Sequence, residues 1–423
     1  MPRTDRLLAE PKLHEAAARL GPALVKAAVR VAQERVRRGD LHPDDVVAAV
    51  VESLPAAATT MRPVVNATGV IVHTNLGRAP LSEAAVQALR VAAGTTDVEV
   101  DLATGRRGRR GAGAVAALLA AVPQAEDAHV VNNGAAALAL LAVAFAGREV
   151  VVARGELVEI GDGFRIPELL TGAGLVLREV GTTNRVRLQD YADAVTNATA
   201  FVLKVHPSNF VVSGFTSTVS VQALAALPVP LVVDIGSGLL RPHPRLPDEP
   251  DAAGVLRGGA DLVTSSGDKL LGGPQCGLLL GRAALVQQLR RHPVARAMRV
   301  DKLTLAALEA TLQGPLPPVR QALATDPGTL HERAASIARR LDELAVDAVA
   351  VPSTAAVGGG GAPGVTIDSA AVSLPAEGAA RLRAGDPAVM GRVEQGRLLL
   401  DLVAVDPHDD DRLLQAVRTA YAG

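Results

Sequence analysis

Between residues 63 and 310 the chain repeats one pattern, a short Val-rich apolar run followed by a helical stretch. The runs are His129–Asn133, Val150–Ala153, Leu175–Val180, Phe201–Val205, Leu231–Ile235, Leu262–Ser265 and Gly277–Leu280. A strand with one face in water alternates apolar and polar residues, whereas a run apolar throughout must be covered on both faces. Many of the seven runs are of this kind, and together with the helices between them they predict a doubly wound α/β domain with helices on both sides of a mostly parallel sheet. In that architecture ligands sit beyond the C-terminal ends of the strands. The residues that follow each run are therefore where chemistry is expected.

The flanks differ in texture. Residues 1–62 read as a helical domain: Leu13, Ala16, Ala17, Leu20, Leu24, Ala27 and Val31 recur at helical spacing, predicting one helix from Pro11 to Arg38 stopped by Gly39. A second, shorter helix is expected from Pro43 to Leu54. This segment carries ten Arg and Lys against eight Asp and Glu, and Arg35, Arg37 and Arg38 crowd one helix end. That crowding reads either as a solvated face or as a local basic patch. Residues 311–423 predict a smaller α+β domain, with a helix near His331–Leu344, a loop at Gly358–Gly361, strands at Val365–Ile367 and Arg397–Val403, and a last helix over Asp411–Tyr421.

Composition narrows the function classes. The formal charge is −1, so no global basic field announces a general polyanion binder. One cysteine, Cys276, excludes a disulfide framework and a cysteine zinc site. The N-terminus lacks the apolar core of a signal peptide, and no window reaches the length of a membrane span, so a cytoplasmic setting without membrane partners is expected. With five Phe, two Tyr and no Trp, base-stacking platforms are not expected to carry the function. Lysine is rare as well: only Lys12, Lys26, Lys204, Lys269 and Lys302 are available for amine chemistry.

Three strand ends stand out. Asn132-Asn133-Gly134 follows the first run and opens an Ala/Leu helix, where backbone N–H groups could hold a phosphate or simply make a strand–turn–helix link. Asp234 lies just past a buried strand, as a carboxylate for a cationic partner or as a cap before the loop. Lys269 sits between an apolar strand and the turn Gly272-Gly273-Pro274, where desolvation would lower its pKa and make it a nucleophile. Ser266, three residues earlier, could bind a phosphate. Phosphate loop, carboxylate and lysine in this order are the parts that a pyridoxal phosphate enzyme needs.

With these residues in view the chain resembles the bacterial selenocysteine synthases, the L-seryl-tRNA(Sec) selenium transferases. The resemblance is carried by Val65-Asn66-Ala67-Thr68-Gly69, His73-Thr74-Asn75-Leu76-Gly77-Arg78, Gly105-Arg106-Arg107-Gly108-Arg109-Arg110, and Leu157-Val158-Glu159-Ile160 with Phe164-Arg165. It continues through Gly181-Thr182-Thr183-Asn184, Lys204-Val205-His206 with Ser208-Asn209, Ser266 through Gln275, and Arg296-Ala297-Met298-Arg299. The resemblance implies a fold-type I (aspartate aminotransferase-like) pyridoxal 5'-phosphate enzyme. Its sheet would be mixed, mostly parallel and seven-stranded, within a large cofactor-binding domain (63–310), a small C-terminal domain (311–423) and an N-terminal helical domain (1–62) that binds tRNA. Lys269 would hold the cofactor and Asp234 its ring nitrogen. Asn209 would touch the ring hydroxyl, while Asn133, Gly134 and Ser266 hold the phosphate. Arg78, Arg296 and Arg299 would bind the oxyanion of selenophosphate; Arg296 and Arg299, three apart, are expected on one helix face. Arg107 and Arg110 stay open between interface, tRNA, cofactor and plain surface.

The implied reaction converts seryl-tRNA(Sec) to selenocysteinyl-tRNA(Sec) through a Schiff base and a dehydroalanyl-tRNA intermediate. Selenophosphate, and the enzyme that makes it, are the further partners, and a ring of dimers is the implied assembly. Departures from the family pattern are Glu156 in place of a Gln near the ring, Gly161-Asp162-Gly163, Gly134 in place of a third Asn, and Val403 in place of an arginine. Two other readings stay open. One is a related lyase acting on a small amino acid or amino sugar; the other is a tRNA-binding paralogue that has lost catalysis.

Overall fold

The structure, a computed structural model, describes residues 3–55, 57–161 and 163–421. The chain divides into two compact units, Met1–Val64 and Val65–Gly423.

The first unit is built from helices α1 (Thr4–Ala9), α2 (Pro11–Leu20), α3 (Pro22–Arg38) and α4 (Val46–Ser53). The single helix expected over Pro11–Arg38 is broken at Gly21, whose φ of +90° leaves the helical region, and Pro22 opens the next helix. Proline cannot donate to the turn before it but suits the first turn of a new helix, so apolar spacing ran on across a joint. Leu13, Val25, Val29, Val46 and Val50 close the unit's own core. Gly39 ends α3 in the left-handed region, as expected of a glycine stop.

The second unit holds two large sheets and two short two-stranded ones. Strand β1 (Val70–Val72) precedes in the chain the strands of a seven-stranded sheet: β2 (Asp127–Val131), β3 (Glu149–Ala153), β4 (Val176–Val180), β5 (Thr199–Val205), β6 (Leu231–Gly236), β7 (Leu262–Ser266) and β8 (Gly277–Gly281). Their order is β2-β8-β7-β6-β5-β3-β4. Only β8 runs antiparallel, to both β7 and β2, so the sheet is mixed and mostly parallel as expected. Burial explains the unbroken apolar runs. In β3, Val151 and Ala153 enter one core while Val150 and Val152 enter the core on the opposite face. Helices α5 (Glu83–Ala93), α6 (Ala112–Ala121) and α7 (Gly134–Ala144) lie among those joining the strands, and α8 (Lys302–Gln313) packs on α5 and α6.

A five-stranded sheet follows, with β9 (Val349–Gly358), β10 (Thr366–Pro375), β11 (Arg392–Glu394) and β12 (Arg397–Asp401) in the order β11-β12-β10-β9-β1. β1 from the start of the unit thus pairs in parallel with β9 near its end. Helix α9 (Pro327–Asp342) covers this sheet, and α10 (Asp410–Tyr421) packs on α9. Two expectations need correction here. The segment before Gly358 is a ten-residue strand, and the strand expected at Val365–Ile367 runs on to Pro375.

Val403, where the family pattern has an arginine, is buried in the core of this sheet. The neighbouring Asp401 instead receives Arg392 Nη1 at 2.9 Å, with Ser353 Oγ at 2.8 Å and Ser369 Oγ at 2.7 Å. With the Val403 N–H also donating at 3.1 Å, this buried carboxylate has four donors and needs no further cation.

Candidate active site

Lys269 follows β7 in a turn that is pinned from three sides. Leu270 N–H donates to Ser237 O (2.8 Å), Gly272 N–H to Lys269 O (3.0 Å), and Gly267 N–H to Cys276 O (2.9 Å). The lysine side chain is thereby led under a glycine loop. A Cβ built on Gly360, whose φ is +82°, would stand 2.7 Å from Nζ, so only glycine leaves room for the amine. Burial pushes the Lys269 pKa down, opposed by the charges of Asp234, Asp268 and Glu249 and assisted by Arg78. A desolvated amine of this kind is more readily neutral, as a nucleophile must be.

Asp234 is not past its strand. It lies inside β6, fully buried, and Thr264 Oγ1 on β7 donates to its Oδ1 at 2.8 Å. The cap alternative therefore fails. Burial pushes its pKa up, while Thr264, Lys269 and His206 pull it down. A buried carboxylate facing a lysine is arranged to hold a proton on a partner base.

The anion-binding end forms where α7 begins. Asn133 caps α7, its Oδ1 accepting from Ala136 N–H at 2.7 Å. A Cβ on Gly134 would meet Ser266 Oγ at 2.8 Å, so the glycine keeps open a cradle between the helix N-terminus and the serine hydroxyl. Lowered lysine, buried carboxylate and open cradle fit pyridoxal 5'-phosphate, with Ser266 and the α7 N–H groups for its phosphate.

Arg78 belongs to the same neighbourhood. It holds a left-handed φ of +64° after Gly77, and its Nη1 donates to Asp268 Oδ2 at 2.9 Å, one residue before the lysine. Asn209 is exposed, and its amide donates to Glu159 O at 3.0 Å. Arg296 and Arg299 are not on one helix face. Arg296 ends a single 3-10 turn, Pro293–Arg296, and Arg299 bridges Val131 in extended backbone. His292 and Pro293 cap and close the preceding helix, which ends the helical spacing there. Both arginines line a cavity of about 660 Å³ with Arg107, Arg110, Arg290 and His129. Glu99 gathers this cluster, lying 3.0 Å from Arg107, 3.6 Å from Arg110 and 3.7 Å from Arg299. None of the residues around Lys269 lines that cavity.

Glu156 is ion-paired. Lys204 Nζ donates to it at 2.8 Å and Val205 N–H at 2.9 Å, so its charge is spent locally. Asp162 lies outside the described residues. Sequence reasoning missed Thr264, which reads as one more strand residue, and the contact of Gly360 with the lysine, of which four consecutive glycines were the only signal.

Comparison with known proteins adds the following. A family described as L-seryl-tRNA selenium transferase matches residues 64–406, and one described as selenocysteine synthase N terminal matches residues 2–37. The chain is 41% identical to an L-seryl-tRNA(Sec) selenium transferase of Hyphomonas neptunium, over 99% of this chain and 97% of that one. It is 42% identical to the protein of the same name from Edwardsiella ictaluri, over 98% and 97%. Among solved structures, a D-glucosaminate-6-phosphate ammonia-lyase superposes with a TM-score of 0.60 at 22% identity, covering 85% of this chain and 96% of that one. That likeness speaks for the shared fold.

Proposed function

Because the chain belongs to the L-seryl-tRNA selenium transferase family, we infer that it is a pyridoxal phosphate-dependent enzyme converting seryl-tRNA(Sec) to selenocysteinyl-tRNA(Sec). The observation that carries this reading is Lys269, buried beneath Gly360 with a lowered pKa and facing Asp234. When bound, the cofactor supplies an electron sink for a carbanion at the seryl Cα. Asp234 keeps the ring nitrogen protonated, with Thr264 fixing the carboxylate. With the cofactor bound, Lys269 Nζ would take the seryl Cα proton and later return it. The β-hydroxyl would leave with a proton as water, selenium of selenophosphate would bond to the vacated Cβ, and water would then cleave the Se–P bond, releasing phosphate. Ser266 and Asn133-Gly134 would hold the cofactor phosphate, and Asn209, whose amide donates to Glu159 O, would contact the ring hydroxyl.

Arg78, Arg296 and Arg299 bind the donor's oxyanion. Within one chain the last two line a cavity apart from Lys269, which supports a homo-oligomer, a ring of dimers, in which a second copy completes the site. Residues 1–62 form the tRNA-binding module, and the cytoplasm, where aminoacylated tRNA is met, is the setting. No helix among the described residues is long and apolar enough to cross a membrane.

Purified protein is expected to show the absorbance of a lysine-bound cofactor, lost in Lys269→Ala. Borohydride should fix the cofactor's mass on the Lys269 peptide. Seryl-tRNA(Sec) with selenophosphate should be converted, while free serine and amino sugars are not. Turnover of the small molecules alone would replace this reading with that of a lyase.

A further inference from the structure

Glu249 has no place in the chemistry described so far, yet its side chain is only 1% exposed. A buried carboxylate is costly unless it is well paired. Here one oxygen, Oε2, takes both partners: His206 Nε2 lies at 3.2 Å and Ala362 N–H donates at 2.7 Å. The other oxygen, Oε1, is buried without a hydrogen bond. Such a group is a poor choice for stability alone.

The two partners of Glu249 belong to segments that both reach the lysine's surroundings. His206 follows β5, and its N–H donates to Asp234 O at 2.9 Å. Ala362 ends the glycine loop that lies over Lys269. The backbone of that loop is costly to order: Gly358, Gly360, Ala362 and Gly364 all hold left-handed φ, of +88°, +82°, +48° and +74°. Glycines lose more freedom on ordering than other residues, and an alanine at positive φ is strained. Yet the loop is held closely enough that Cβ atoms on Gly360 and Gly361 would meet Lys269 Nζ at 2.7 Å and Leu270 Cδ1 at 3.0 Å. Gly358 is held at one end by its pairing with Val72, and Ala362 at the other end by Glu249.

We propose that Glu249 is a positioning residue for the proposed reaction, tethering the Gly358–Gly364 loop to His206 and so holding Gly360 against Lys269. This rests on Lys269 being the reacting amine. The tether sets the space around Nζ and therefore where the amine stands when it passes its proton.

Hydrogen–deuterium exchange on the full-length chain without cofactor reads the tether directly. Glu249→Ala should speed exchange of peptides covering 358–364 by about tenfold, the effect of losing one charge-assisted anchor, with β5, β6 and β7 unchanged. Glu249→Gln, which still accepts from Ala362, should restore loop protection in part. In the loaded enzyme, Glu249→Ala should lower kcat about tenfold with a much smaller change in KM for seryl-tRNA, since the loop positions the amine and does not bind the RNA. Unchanged loop exchange in both variants would overturn the proposal, as would faster exchange spread over the whole sheet. These results do not depend on the cofactor reading, which Lys269→Ala tests separately.

Discussion

His129 shows how the chain treats a titratable group that is given no proton. It sits mid-strand in β2 with Nε2 buried and unpartnered, and burial together with Arg290 and Arg109 pushes its pKa down to about 4. Asp127, two residues away, pulls the other way, but Arg109 and Arg290 already take that carboxylate at 3.3 and 2.9 Å. The unfolded chain binds this proton at its ordinary pKa of 6.5 and the folded chain does not. Stability from this group is therefore complete above pH 6.5 and drains away as the pH falls towards 4. A shift of this size is worth about 3 kcal/mol in total. His129→Gln, which carries no charge at either pH, should lose correspondingly less stability than the parent between pH 7.5 and 4.5 in denaturant melts. Equal losses in the two proteins would mean that His129 finds a partner in the acid form.

At the scale of elements, the site depends on where strands stop and helices start. Strand β7 ends on Ser266 and helix α7 begins on Gly134, and the two meet only because residue 134 has no Cβ. In Gly134→Ala the serine hydroxyl must rotate away from the cradle. Helix α7 itself should tolerate the change, since alanine is the better helix former. Losing one hydrogen bond to a phosphate costs about 1.5–3 kcal/mol, so cofactor affinity should fall about ten- to hundredfold with little change in melting temperature. Titration of cofactor-free protein by absorbance measures it; an unchanged affinity would take Ser266 out of the phosphate site.

The same scale explains what could be read in advance. The two-faced burial of the central sheet writes itself into the chain as unbroken apolar runs, and six of the seven runs need only small changes at their ends; the first, read as His129–Asn133, shifts two residues back to Asp127–Val131. Strand β9 left no such trace. It contains Pro352, and four of its ten residues are exposed. The proline is tolerated because β1 pairs with β9 only at Ala356 and Gly358, leaving the Pro352 end without a neighbour on that side. Arg296 and Arg299 were misplaced for a related reason: spacing of three suggests a helix, but Pro293 restricts the chain to one 3-10 turn. Contacts made across long sequence distances, such as Glu249 with Ala362, carry no local pattern at all.

At the scale of the whole molecule, the distribution of the arginines is the informative fact. Arg78 is tied to Asp268 beside the lysine, whereas Arg296 and Arg299 line a separate cavity held together by Glu99. Arg299 bridges Val131, two residues before the Asn133 cap, while its cavity is lined by none of the residues around Lys269. In the proposed ring of dimers each site would draw its lysine from one copy and these two arginines from another. The inactive variants Lys269→Ala and Arg296→Ala/Arg299→Ala should then complement each other. Mixed after subunit exchange, some interfaces would carry both defects and others neither, so activity should return to about a quarter of the parent's if the dimers pair at random. If both groups acted within one chain, every subunit would stay defective and mixing would restore nothing. Cofactor absorbance discriminates further: the arginine variant should keep it in full, because Lys269, Asp234 and Ser266 are untouched. A mixed assembly that is well formed by light scattering yet inactive would place the donor arginines and the lysine in the same subunit.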